Sequence, residues 1–299
     1  MINLEVLWLY GNQLTGGIPD AVADMTSLVV LDVVGNEMDG LLNPTIGSMV
    51  QLLVLNIGNN KFEGTIPQEY TNLVNLERLN IENCELTGTI PDFSVMEFLE
   101  VLRLGGNNLD QGDFPTFIYG MTGLVDLRLN SCGLVGNLGE AIADLTGLTV
   151  LSLHDNSLTG AIPDISQLVS MEVLTLHENS FEGPIPNMSG MTGIREVNLS
   201  DNTGLFGPIP DFSVFTGVER IEFRSCGLTG TLDGSITEIA TLRKYYLEVY
   251  RFHYRLILPE TQLPFFHPAL QNGSISVTTS CRESCPKTGT QRRAWNVCT

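Results

Sequence analysis

Apolar residues return along this chain at a fixed spacing, with an asparagine set among them. Read as L-x-x-L-x-L-x-x-N-x-L-x-G-x-I-P, the first copy is Leu4, Leu7, Leu9, Asn12, Leu14, Gly16, Ile18 and Pro19. Nine more copies open at Leu28, Leu52, Leu76, Leu99, Leu124, Leu148, Met171, Ile194 and Val218, and the asparagine, or a cysteine in its place, recurs every 23 to 25 residues. The alternating Leu-x-Leu segment predicts a short strand with one buried face. Repetition at this length predicts a solenoid.

One such repeat buries too little apolar surface to offset the backbone entropy of ordering it. Stacking supplies the remainder, because each turn covers the leucines of the next and pairs strand with strand. The asparagine column has a separate reason: a short amide both donates and accepts, and so satisfies backbone groups that a bend leaves unpaired. Glycine relieves the reversal and the Ile-Pro pair closes it with a fixed φ.

Length and charge add to this picture. A solenoid core grows along an axis, so 299 residues fit one elongated array. No run of 18 or more apolar residues predicts a membrane span, although a full-length form could carry one. Met1-Ile-Asn-Leu4 enters the first repeat with neither a signal peptide nor a cap, so the N-terminus is expected to be incomplete and localisation cannot be read from a signal. Cys84, Cys132 and Cys226 stand in the asparagine column, two to four repeats apart and beyond disulfide reach, which predicts buried ladder residues. Cys281, Cys285 and Cys298 lie in the tail, where three thiols fix no compartment.

Character changes near Leu242. Residues 1–242 hold seven Lys+Arg against 31 Asp+Glu, a net of −24, whereas residues 243–299 hold eight against three, a net of +5. Two domains are therefore expected: a repeat array over 1–242, then 243–299 as a degenerate last repeat with a basic irregular tail. Leu242, Tyr245 and Leu247 still fit the opening of an eleventh repeat before the pattern is lost. A degenerate cap and a read-through of a wrong frame or an intron both fit the tail. The abrupt switch from acidic to basic and aromatic favours the second.

The residues interleaved with the strand leucines face the concave side. Six of the seven basic residues of the array fall there, Arg78, Arg103, Arg128, Arg195, Arg220 and Arg224, among thirteen acidic ones. Two readings hold together: arginines that recognise a partner, and arginines that offset carboxylates on adjacent strands. His154-Asp155 and His177-Glu178 occupy equivalent places in consecutive repeats, so the imidazoles are expected about 5 Å apart. Neighbours on a strand point in different directions and no third ligand spacing appears, so a polar or pH-sensitive patch is expected rather than a metal site. In the first three repeats Val6, Trp8, Tyr10, Val30, Val34 and Val54 make the inner side apolar; they are candidate interface anchors, or surface that a missing cap would cover.

No nucleophile, metal or nucleotide motif appears, so neither an enzyme nor a cofactor is expected. The net of −24 over the array argues against nucleic acid and leaves a protein, peptide or glycan as ligand. Three triplets are candidate glycosylation sites: Asn187-Met-Ser189, Asn198-Leu-Ser200 and Asn272-Gly-Ser274. A glycan on Asn198 would obstruct the inner sheet.

The string from Leu148 to Pro163, with Asn156-Ser-Leu-Thr-Gly160-Ala-Ile-Pro163, resembles the plant-specific class of leucine-rich repeats. That class includes the ectodomains of receptor-like kinases and receptor-like proteins, and the polygalacturonase-inhibiting proteins. The resemblance covers residues 4 to about 242. It implies an α/β solenoid, an arc of about ten 24-residue repeats with a parallel concave β-sheet and a mostly irregular or 3-10 convex side. The second, sixth and tenth repeats depart from it by lacking the proline, as in Leu42-Asn43, Leu138-Gly139 and Leu232-Asp233, and the class's paired-cysteine cap is absent.

The function implied is a signalling recognition module at the cell surface or outside the cell. Its binding residues are expected among Trp8, Tyr10, Val34, Arg103, Arg128, His154, His177 and Arg224. An inhibitor of a secreted hydrolase and a truncated ectodomain of a membrane receptor-like kinase are the alternatives.

Overall fold

The computed structural model describes residues 3–230, 242, 244–249 and 254–255. Each Leu-x-Leu segment becomes a short inner strand: Val6–Trp8, Val30–Asp32, Val54–Asn56, Arg78–Asn80, Val101–Arg103, Asp126–Arg128, Val150–Ser152, Val173–Thr175 and Glu196–Asn198. Arg220–Thr229 and Lys244–Val249 continue the row. The first ten pair in parallel and in register, so that Leu7, Leu31, Leu55, Leu79, Leu102, Leu127, Leu151, Leu174, Val197 and Ile221 form one line, and Lys244–Val249 pairs in parallel with Arg220–Thr229 with a register shift between Phe223 and Leu228. Register is fixed because a slip of one residue would turn every leucine to the opposite face. The line is one continuous core from Leu31 onward, with Leu4, Leu7 and Leu9 only partly covered at its start. Tyr254–Arg255 pairs antiparallel with Lys244–Val249.

The asparagines stitch the stack. Asn60 Nδ2 donates to Ile57 O at 3.0 Å and to Val33 O of the preceding repeat at 3.0 Å, while its Oδ1 accepts from Met38 N at 3.0 Å. Asn36, Asn107, Asn156, Asn179 and Asn202 repeat the pattern. Cys84, Cys132 and Cys226 are buried in the same column, their thiols directed at the equivalent carbonyls of Ile57, Leu104 and Leu199. Burial pushes the Cys132 thiol up to about 12 and raises that of Cys84, so both stay protonated.

The residue just before this column adopts a left-handed conformation in every repeat, from Gly11 at φ 67° to Ser225 at φ 55°. In the first nine repeats the inner strand ends before this bend, which turns the next side chain away from the inner face; in the tenth, Arg220–Thr229 runs on through it.

Helical structure is confined, among the described residues, to 3-10 turns: Asp20–Val22, Pro44–Ser48, Gln68–Asn72, Thr116–Gly120 and Glu140–Asp144. Between inner strand and convex side lies a second set of strands that the leucine pattern did not announce. Asp39–Leu41, Lys61–Thr65 and Glu85–Thr87 form a separate parallel sheet. Gly112–Asp113, Leu134–Asn137, Ser157–Ala161, Ser180–Pro184 and Gly204–Pro208 form another ladder, which joins the inner one through Arg220–Thr229 into a 17-stranded sheet.

The gap between these two ladders coincides with one extra residue after Leu109, which carries Phe114-Pro115 a step past their usual place. A second extra residue, in the ninth repeat, falls before Leu205. It is taken up at Gly204, where a Cβ would lie 2.8 Å from Glu182 Cβ, and the ladder continues.

Candidate inner-sheet recognition surface

Three columns of side chains cross the inner sheet. One runs Val6, Val30, Val54, Arg78, Val101, Asp126, Val150, Val173, Glu196, Arg220, and a second runs Trp8, Asp32, Asn56, Asn80, Arg103, Arg128, Ser152, Thr175, Asn198, Glu222. The third, two residues further on, carries Tyr10, Val34, His154, His177 and Arg224. Because parallel pairing holds equivalent positions side by side, chemistry on this face is set by which residues share a column.

At the centre, Asp126 is buried and holds two arginines. Arg103 donates to Oδ2 from Nη2 at 2.7 Å and from Nε at 3.2 Å; Arg128 donates from Nε to Oδ1 at 2.9 Å and from Nη2 to Oδ2 at 3.1 Å. Two guanidiniums share this one buried carboxylate, and Glu82 is a further carboxylate whose charge acts on Arg128. Each arginine stays about a third exposed, 29% and 35%, and each keeps an Nη1 with no partner among the described residues. These are fixed donors, prepared for an acceptor.

Next to them the imidazoles of His154 and His177 stack, 4.3 Å between centroids and 7° from parallel. Thr175 Oγ1 donates to Ser152 Oγ at 2.9 Å, and Ser152 Oγ lies 2.9 Å from His154 Nδ1. Nδ1 of His177 is buried and has no hydrogen-bond partner among the described residues. Burial lowers the pKa of His154, helped by the stacked His177 and opposed by Asp155 and Glu178. Burial lowers that of His177 as well, against the pull of Glu222. Asp155 and Glu178 sit on the left-handed bends, at φ 55° and 54°, so they do not flank the rings as strand neighbours. Among the described residues no group of three His, Cys, Asp or Glu is arranged to hold a metal ion.

Further along, Arg220 bridges Glu196 at 3.0 Å and Glu222 at 2.6 Å, and Arg224 meets Asp201 at 2.7 Å. Arg195 reaches Glu172 at 3.4 Å with both groups well exposed. Five of the six inner arginines are thus ion-paired and only Arg78 has no partner among the described residues, so carboxylate pairing is realised over most of the face. At the other end Trp8 and Tyr10 are 66% and 60% exposed, with Val34 half-buried beside them. The shared role of Asp126 and the Ser152–Thr175 support of His154 had no signal in the sequence beyond position in a column.

Asn187 is exposed and Asn198 is buried, while Asn272 and the tail cysteines Cys281, Cys285 and Cys298 lie outside the described residues. No helix among the described residues is long and apolar enough to cross a membrane.

Comparison with known proteins decides the class of this array. The family model described as Leucine Rich Repeat matches residues 3–25, 51–73, 75–94 and 147–168. The Arabidopsis receptor kinase HAESA, solved with the peptide hormone IDA and the co-receptor SERK1, superposes with a TM-score of 0.76 at 32% identity, over 83% of this chain and 42% of that one. The chain carries leucine-rich repeats and resembles plant receptor ectodomains. A TDR receptor gives a TM-score of 0.73 at 30% identity, over 80% of this leucine-rich-repeat chain and 42% of the receptor. The plant peptide hormone receptor RGFR1, solved in complex with RGF2, gives 0.71 at 29%, over 79% and 38%. The chain therefore spans about two fifths of the length of these receptors. No curated protein sequence matches it.

Proposed function

We propose that this chain is a noncatalytic recognition module, placed outside the cell or at its surface, that binds a peptide or protein on its inner sheet. The observation that carries the proposal is the set of part-exposed donors at the centre of that sheet, Arg103 and Arg128 around the buried Asp126, beside the stacked His154 and His177. Parallel strands hold these groups rigidly, so little side-chain entropy remains to be lost when a partner docks. The resemblance to receptors solved with peptide hormones supports a peptide in preference to a glycan. Trp8 and Tyr10 supply apolar contact at one end of the same face.

The test is a screen of synthetic secreted plant peptides against the purified chain by calorimetry, with a polygalacturonase inhibition assay alongside. Saturable binding of a peptide without inhibition supports the proposal. Inhibition of the hydrolase with no peptide bound overturns it in favour of the inhibitor reading.

A further inference from the structure

We propose that Asn187 is an N-glycosylation site, and that Asn198 remains unmodified in the folded protein. Both stand in Asn-x-Ser triplets, but the fold treats them oppositely. Asn198 lies on the inner strand Glu196–Asn198 and is 4% exposed. Its Oδ1 accepts from Ser200 N at 3.0 Å and its Nδ2 faces Glu222 Oε2 at 3.3 Å. Ser200 is buried too, its Oγ accepting from Arg224 N at 3.0 Å. Thr175 and Glu222 flank Asn198 on the neighbouring strands, and both atoms of its amide are already engaged, so the nitrogen is not free to accept a sugar.

Asn187 follows the Ile185-Pro186 turn, away from the inner sheet, and is exposed together with Ser189, while Met188 between them is buried and anchors the segment. Oδ1 of Asn187 accepts from Ser189 N at 3.0 Å, which leaves Nδ2 unbonded. Equivalent places in other repeats show what this turn requires. Asp92, Asp164 and Asp211 make the same bond to Ser94, Ser166 and Ser213 with a carboxylate oxygen. The fold therefore needs only an oxygen here, and the amide nitrogen of Asn187 has no structural task. Asn43 is the contrast: its Nδ2 donates to Ile18 O and Asp20 Oδ1, and Pro44 in the middle of its triplet bars glycosylation.

In the reaction the Nδ2 of Asn187 forms a bond to the anomeric carbon of a lipid-diphosphate-linked oligosaccharide. The bond from that carbon to the phosphate oxygen breaks, the lipid diphosphate leaves with the electron pair, and Nδ2 gives up one proton. The glycan then sits on the turn that follows the second strand ladder and leaves the inner columns open.

Occupancy in nature rests on the extracellular placement proposed above, so the experiment supplies the route itself. The full chain, expressed behind an added signal peptide in plant cells and recovered from the medium, is treated with peptide N-glycosidase in heavy-oxygen water and mapped by mass spectrometry. Heavy-oxygen deamidation at Asn187 with unmodified Asn198 is expected. Ser189→Ala should abolish the mark at Asn187 and Ser189→Thr should keep it. Secreted protein with Asn187 bare, or with a glycan on Asn198, overturns the proposal. Native localisation, followed separately with a fluorescent fusion of the full chain, bears only on the receptor reading.

Discussion

The amide column is where single residues matter most, since each asparagine satisfies groups in two repeats. Replacing Asn60 with alanine leaves Met38 N and Val33 O without their partner in a buried place, a loss of about 2–3 kcal/mol. The thiol of Cys84 is a weak donor in the same geometry, 3.8 Å from Ile57 O. Cys84→Asn should therefore stabilise the chain by about 0.5–1.5 kcal/mol. Thermal unfolding of the two variants followed by circular dichroism checks both signs, and equal melting temperatures would show that the column is only filling space.

Histidine sets a pH dependence at the same scale. Folded, His154 and His177 titrate below 6.5; unfolded, they return to about that value. The unfolded chain then binds more protons as the solution is acidified, so stability present above about pH 6.5 is lost as pH falls through and below it. The groups facing the pair are Ser152, Thr175, Asp155 and Glu178 around His154, and Glu222, Arg220, Asp201 and Arg224 around His177. The melting temperature should fall between pH 7.5 and 5, and fall less in His154→Gln/His177→Gln; identical profiles would contradict the assignment.

At the scale of elements, close approach between convex turns is as strict as strand register. Gly47 lies buried in the turn Pro44–Ser48, where a Cβ would run into the backbone carbonyl of Glu69 in the next turn, Gln68–Asn72. Backbone cannot rotate aside, so Gly47→Ala should cost about 1–3 kcal/mol, read as a lower urea midpoint. An unchanged midpoint would mean that these turns shift freely.

The inner strands were legible because leucine, asparagine and glycine recur at positions that packing itself dictates. Outer strands were not legible: Lys61–Thr65 and Ser157–Ala161 alternate around single buried residues, Phe62 and Leu158, too short a pattern to separate from a turn. The site was half legible for a related reason. Repeat spacing gave His154 and His177 as neighbours and Arg103 and Arg128 as inner-face residues, but only the folded chain gives Asp126 to both arginines and sets Asp155 and Glu178 on left-handed bends.

For the molecule as a whole, one spine of buried leucines carries two unlike surfaces. The inner sheet gathers almost all the cations of the array and its stacked histidines, while the remaining surface is acidic apart from Lys61, itself paired with Glu37 at 3.2 Å. Acidic exteriors repel one another, and recognition is proposed for the inner face, where the cations are gathered. The measurement that tests this most directly is the affinity of a peptide ligand for the parent chain, Arg103→Ala, Arg128→Ala and, outside the inner sheet, the exposed Phe98→Ala. Loss of about tenfold or more in the two arginine variants, about 1.4 kcal/mol, with Phe98→Ala unchanged, is the predicted result. Full binding by both arginine variants, with loss in Phe98→Ala, would contradict it.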